Sequence, residues 1–188
     1  MICAVCCGTK REVEIDCPSS CPHLIAGRSY EAEKRALDPQ LAAKAQSFDT
    51  DFIYRFSPVL NALSGAVVEE RIASPWLVDP DVIEVFKALG ATMKTLSSGI
   101  YYETLPEGPI RLALFRRLRA VLDGLMQPNP ETREHTLRTS EAVEVMDFLI
   151  LVATAHSNAR PKSRQYLDWL SHVPGAAQAE QPSSLIFP

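Results

Sequence analysis

The sequence predicts a mainly α fold, a helical bundle of five to seven helices with a small N-terminal zinc-binding β-hairpin and knuckle. Two observations predict this fold. Apolar residues recur at three- and four-residue steps through most of the chain after Gly27. All five cysteines lie within the first 21 residues. We therefore expect a four-cysteine zinc-binding hairpin over residues 1–26, an α-helical bundle over residues 27–174 and a C-terminal tail over residues 175–188.

The composition is that of an ordinary globular protein. Of the 188 residues, 46% are hydrophobic and 22% are charged, which excludes a mostly disordered chain. The net charge of −4 gives no global positive field to attract nucleic acid. The sequence has no uncharged apolar run near the roughly 20 residues of a membrane span, and no signal-peptide pattern. We expect a cytoplasmic protein that does not enter membranes.

The cysteine pattern, C-x2-C-C-x9-C-x3-C, indicates metal binding. An odd number of cysteines fits poorly with a disulfide framework, and crowding at one end is not typical of cysteines that fill a core. Four thiolates complete the tetrahedral shell of Zn²⁺ and leave no open position for catalysis. The sequence therefore predicts a structural zinc site with Cys3, Cys6, Cys17 and Cys21 as ligands.

Local patterns indicate how these ligands are presented. The first pair, followed by Gly8, predicts a knuckle, in which glycine can take a positive φ. Val13 and Ile15 alternate with charged residues and predict a short strand leading to Cys17. Ser19 or Ser20 can then act as N-cap of a helix with Pro22 in its first turn.

Several alternatives for the metal remain open at this point. Cys7 could replace Cys6, and His23 could replace Cys21. An iron–sulfur cluster or unmetallated thiols would also use cysteines in this pattern. The C-x2-C-C stretch of residues 3–7 is similar to part of the signature of small bacterial proteins described as zinc- or iron-chelating, and this resemblance implies metal binding by that stretch.

The remainder of the sequence predicts helices separated by proline. Starts are predicted near Asp38-Pro39, Asp49 or Thr50, Asp79-Pro80, Gly108-Pro109, Thr139-Ser140 and after Arg160-Pro161. Pro58 is expected to restart or kink the helix that contains it. The clearest apolar seam consists of Val82, Phe86, Leu89, Met93, Leu96 and Ile100. The last helix is expected to bury Tyr166, Trp169 and Leu170. The tail ends in an apolar tip, 185–188, that could dock on its own body or on a partner.

No assembled catalytic constellation is visible in the sequence. There is no P-loop, no H-E-x-x-H motif and no nucleophile elbow. Residues 131–135, the nearest approach to an E-x-x-H pattern, are interpreted as a solvated loop. The sequence therefore favours a zinc-binding, non-catalytic module that binds a protein partner or regulates it.

Two other functions stay open. A nucleic-acid-binding module would use the zinc hairpin with Lys10, Arg11 and Arg28, and a helix carrying Arg111, Arg116, Arg117 and Arg119. A helical enzyme would need a pocket near Tyr101, Tyr102 and Arg111.

Overall fold

The structure, a computed structural model, describes residues 3–34, 39–128 and 136–174. Within these ranges the chain forms eight helices and no sheet. In chain order they are α1 (Ala4–Lys10), α2 (Pro22–Lys34), α3 (Pro39–Ala45), α4 (Thr50–Ala73), α5 (Asp79–Ser97), α6 (Pro109–Met126), α7 (Thr139–His156) and α8 (Gln165–Leu170). None of the helices in the described ranges is both long and apolar enough to cross a membrane. The predicted mainly α fold is confirmed.

The core of the bundle is built around α5 and α7. Helix α5 packs most extensively against α7 and next against α6, while α4 packs against α6. Four residues of the predicted α5 seam are fully buried: Val82, Phe86, Leu89 and Met93. The expectation for Ile100 is wrong, because α5 ends at Ser97 and Ile100 is exposed beyond it.

Most helices begin at the capping and proline residues that the sequence predicts. The Asp49 carboxylate caps α4 by accepting a hydrogen bond from the Phe52 N–H at 2.7 Å. The predicted restart at Pro58 does not occur, since α4 continues through it. Helix α7 is capped one residue before the predicted pair, where the Glu141 carboxylate accepts from the Arg138 N–H at 2.9 Å.

The buried carboxylate of Asp79 joins α5 to α8. It accepts hydrogen bonds from the Ser163 hydroxyl at 2.6 Å and from the N–H groups of Tyr166 and Leu167 at 3.1 Å each. Burial raises the pKa of Asp79 despite these hydrogen bonds. Asp79 therefore acts as the cap of a helix distant in sequence, and it fixes α8 on the bundle.

The last helix buries fewer aromatic residues than expected. Tyr166 and Leu170 are buried as predicted, together with Leu167. Trp169 stays partly exposed and stacks on the His156 ring, with the two centroids 3.9 Å apart. Trp169 thus covers the end of α7 instead of entering the core.

The N-terminal segment differs from the predicted hairpin. Residues 4–10 are helical, and residues 11–15 form a tight turn closed by a bridge between Arg11 and Ile15. The expected alternation is reversed, because Glu12 is 1% exposed whereas Val13 is 41% exposed. The physical reason is that the Glu12 carboxylate has buried cationic partners, described below, which outweigh the burial of one valine.

The tail, 175–188, and the segment 131–135 lie outside the described residues. The division at residue 26 stays a prediction, and α2 spans it.

Candidate metal centre

Cys3 and Cys6, the first predicted pair of ligands, lie in contact at the start of α1. Cys3 is the N-cap of this helix, and its sulfur accepts a hydrogen bond from the Cys6 N–H at 3.3 Å. That hydrogen bond lowers the pKa of the Cys3 thiol, while donation to the Cys3 sulfur raises the pKa of the Cys6 thiol. The helical C-x2-C spacing therefore brings two cysteines together without a knuckle.

The second predicted pair flanks the turn before α2. The Cys21 N–H donates to the Pro18 carbonyl at 2.9 Å, and the Cys21 carbonyl accepts from the N–H groups of Leu24 and Ile25. Cys21 thus lies immediately before the helix, with Pro22 at its first position as predicted. Cys17 and Cys21 are both partly exposed, and all five cysteines are free thiols.

The two pairs do not form an assembled site. Among the residues that the structure describes, no group of three or more His, Cys, Asp or Glu side chains could hold a metal ion. The chemistry of the thiols suits zinc, and one pair is in contact. The structure does not test zinc binding, which stays a prediction.

Glu12 anchors the cysteine-bearing segment to the bundle. Its carboxylate accepts hydrogen bonds from Arg28 at 2.5 Å and from the Asn158 amide at 2.7 Å, and Arg160 lies 3.9 Å away. The Glu12 carbonyl also accepts from the Lys162 N–H at 2.8 Å. Both the side chain and the backbone of one residue are therefore held by the segment between α7 and α8.

Asp168 on α8 forms the second anchor. Its carboxylate accepts from Arg28 at 2.6 Å and from the Ser19 hydroxyl at 2.8 Å, and it also pairs with Arg71 of α4. Burial alone would raise the pKa of Asp168, but the hydrogen bonds from Arg28, Arg71 and Ser19 outweigh it and lower the pKa. Ser19 is therefore used to dock α2, and neither Ser19 nor Ser20 is at the predicted N-cap position, because Cys21 immediately precedes Pro22.

Arg28 links the two anchors, and we call these residues the anchor network: Glu12, Ser19, Arg28, Arg71, Asn158, Arg160 and Asp168. Burial opposes the charge of Arg28, yet hydrogen bonds to Glu12 and Asp168 raise the pKa of its guanidinium. Further pairs flank the network: Arg11 and Arg160 each bind Glu31, and Arg164 binds Asp16 next to Cys17. The segment that carries the cysteines is thus held from three helices and a connector.

The sequence signal for this network is weak. Its partners are separated by up to 149 residues, as in the Ser19–Asp168 hydrogen bond, so no local spacing indicates them. Gly27 is a local indication of the network, because a glycine inside a helix often marks a close contact with another group. A Cβ at Gly27 would lie 1.8 Å from the Arg11 guanidinium, so the missing side chain makes room for Arg11.

The basic residues of the nucleic-acid alternative are largely neutralised within the chain. Lys10 binds Glu14, Arg11 binds Glu31, and Arg28 binds two carboxylates. On α6, Arg111 pairs with Asp81, Arg117 with Glu69 and Glu70, and Arg119 with Glu103 and Asp123. Cations already paired in this way supply little phosphate binding, which weakens that alternative.

The residues suggested for an enzyme pocket do not converge on one site. Arg111 lines an open cleft of about 390 Å³ together with Thr104 and Leu105. Tyr101 and Tyr102 are largely exposed on the connector between α5 and α6. A second cleft of about 340 Å³ adjoins His156 and Arg160.

Comparison of the chain with protein-family models, curated proteins and solved structures gives no match.

Proposed function

We propose that this chain is a zinc-binding, non-catalytic module that binds a protein partner, with Cys3, Cys6, Cys17 and Cys21 as the ligands of one structural zinc. The observation that carries the proposal is the confinement of all five cysteines to one anchored segment, in which the Cys6 N–H donates a hydrogen bond to the Cys3 sulfur.

The anchor network supports this proposal because it fixes the chain between the two cysteine pairs. Glu12 is held against the connector after α7, and Asp16, next to Cys17, is paired with Arg164. The two pairs therefore lie on either side of fixed points, and zinc binding would require residues 3–7 or the turn before α2 to move until the four thiolates meet. Four thiolates would give a closed tetrahedral site that stabilises the segment and leaves no position for a substrate.

Exposed apolar residues on the connector between α5 and α6 support the binding of a protein partner. Four side chains there are more than half exposed: Ile100, Tyr101, Tyr102 and Leu105. Clusters of exposed aromatic and aliphatic side chains are typical of protein-interaction surfaces. The zinc site would then be a structural part of the module, and the connector its contact surface.

Metal analysis of protein purified without added metal tests the zinc assignment. We expect one zinc per chain, with Zn–S distances of about 2.3 Å by X-ray absorption. Cys17→Ser should lose the metal, because Cys17 has no neighbouring cysteine to replace it. Cys7→Ser is the matched control and should keep it. Metal-free wild-type protein would contradict the proposal, and iron with visible absorbance would replace zinc by a cluster.

Substitution on the connector tests the partner surface separately. A partner bound by the full chain should be released by the double variant Tyr101→Ser/Tyr102→Ser. Tyr54→Ser, an equally exposed tyrosine on α4, is the control and should retain binding. Equal binding by all three proteins would show that the connector is not the contact surface.

A further inference from the structure

One open cleft on the surface of the bundle has several apolar residues in its lining. It has a volume of about 740 Å³ and lies between the end of α4, the turn before α2 and the end of α8. We call it the Trp76 cleft, and its apolar lining consists of Pro18, Val68, Ile72, Pro75 and Trp76. Ile72 is 77% exposed and Trp76 is 70% exposed. Two large apolar side chains left in water beside one cleft indicate a surface that another apolar group covers.

A polar group at the same cleft also lacks a partner. Arg71 lines the cleft and pairs with Asp168 through one terminal nitrogen, Nη2. Its other terminal nitrogen, Nη1, is buried and has no hydrogen-bond acceptor among the described residues. A buried N–H without an acceptor is costly, so the Arg71 guanidinium at the edge of this cleft is not fully satisfied by its pair with Asp168.

The chain itself supplies a suitable occupant close by. Ser171, immediately after α8, lines the Trp76 cleft, and the described chain ends three residues later at Pro174. The following residues 175–184 are small and polar in sequence, and Leu185, Ile186 and Phe187 come next. The 11 residues from Pro174 to Leu185 would have a root-mean-square span of roughly 18 Å as a random coil. Such a tether gives an effective concentration on the order of millimolar at the cleft.

We propose that Leu185, Ile186 and Phe187 pack within the same molecule into the Trp76 cleft. This contact covers Ile72 and Trp76 and needs no metal, so it is independent of the proposed zinc site. It makes the cleft a site for a short apolar segment, occupied in cis.

Tryptophan fluorescence tests the contact, because the chain has only two tryptophans. In a Trp169→Phe background, Trp76 is the sole reporter. We expect the triple variant Leu185→Ser/Ile186→Ser/Phe187→Ser to shift the Trp76 emission to the red and to increase its quenching by acrylamide. The matched control, Ala176→Ser/Ala177→Ser/Ala179→Ser, adds three serines to the linker and should leave both unchanged. A synthetic peptide of residues 180–188 should reverse the shift in the triple variant.

A variant on the cleft side makes the test independent of the tail. Ile72→Ser should reproduce the red shift, whereas Ile53→Ser, at the other end of α4, should not. Identical Trp76 emission in the wild-type tail and the triple-serine tail would overturn the proposal. A difference that appears only as the protein dimerises would overturn it as well, because the occupant would then be a second copy.

Discussion

Glu12 combines two features that each cost free energy. Its φ of 57° lies in the left-handed region, which costs a residue with a Cβ roughly 1 kcal/mol. Its carboxylate is also removed from water, at 1% exposure. The compensation comes from Arg28 and Asn158, which hydrogen-bond the two oxygens, and from the Lys162 N–H, which binds the carbonyl. A surface glutamate in a strand would have none of these partners, so the turn forms where the network is.

Replacement of Glu12 by alanine should destabilise the protein by about 3 kcal/mol, because the largely buried Arg28 would keep only one of its two carboxylate partners. The backbone strain is the same for alanine and glutamate, so the change isolates the carboxylate. Glu14→Ala is the control, since its pair with Lys10 is exposed, and it should change stability by less than about 0.5 kcal/mol. Urea denaturation measures both, and equal stabilities would show that Glu12 is not an anchor.

Helix α1 is the element in which the structure and the expected knuckle differ most. Gly8 lies inside this helix, and a Cβ at that position would meet no atom within 4 Å. A knuckle would instead use Gly8 at a positive φ, which alanine resists. One substitution therefore separates the two arrangements.

Gly8→Ala should leave metal content unchanged and raise stability by about 0.5 kcal/mol, because alanine is the better helix former and has room. Gly99→Ala is the matched control: its Cβ would also be unobstructed, but its φ is 78°, so it should cost about 1 kcal/mol. Thermal denaturation and elemental analysis are the measurements. Loss of metal from Gly8→Ala alone would support the knuckle.

The helices of the bundle could be predicted from sequence because their signals are local. Val82, Phe86 and Leu89 follow the helical period, and Asp49 caps α4 three residues from its partner. The fold of residues 11–15 could not, because it depends on Asn158 and Lys162, which lie far along the chain. The cysteine pairs were visible as a pattern, whereas their attachment to the bundle was not.

At the scale of the whole molecule, charge pairs connect the two ends of the described chain. The N-terminal segment touches the bundle through Arg28, Ser19 and Asp16, and its partners Asp168 and Arg164 lie on or next to α8. Asp79 fixes α8 to α5 in turn. A change in the charge of Asp168 should therefore be transmitted to the attachment of residues 3–34 before it reaches the apolar core.

Acid should weaken this attachment through Asp168. The pKa of Asp168 is lower in the folded protein than in the unfolded chain, where an aspartate has a pKa of about 4. The carboxylate therefore contributes stability fully above about pH 4, and this contribution is lost as the pH falls through the lower, folded pKa.

Asp168→Asn should lower the free energy of unfolding at pH 6, and the difference in this free energy between the variant and the wild type should shrink progressively below pH 4. Arg28, Arg71 and Ser19 keep the same charge over this range, so the titrating group of this set is Asp168. Urea denaturation of both proteins from pH 6 to pH 3 measures the effect, with Asp123→Asn, whose carboxylate is half-exposed in its pair with Arg119, as the control. A difference that stays constant with pH would mean that the Asp168 charge does not hold the N-terminal segment in place.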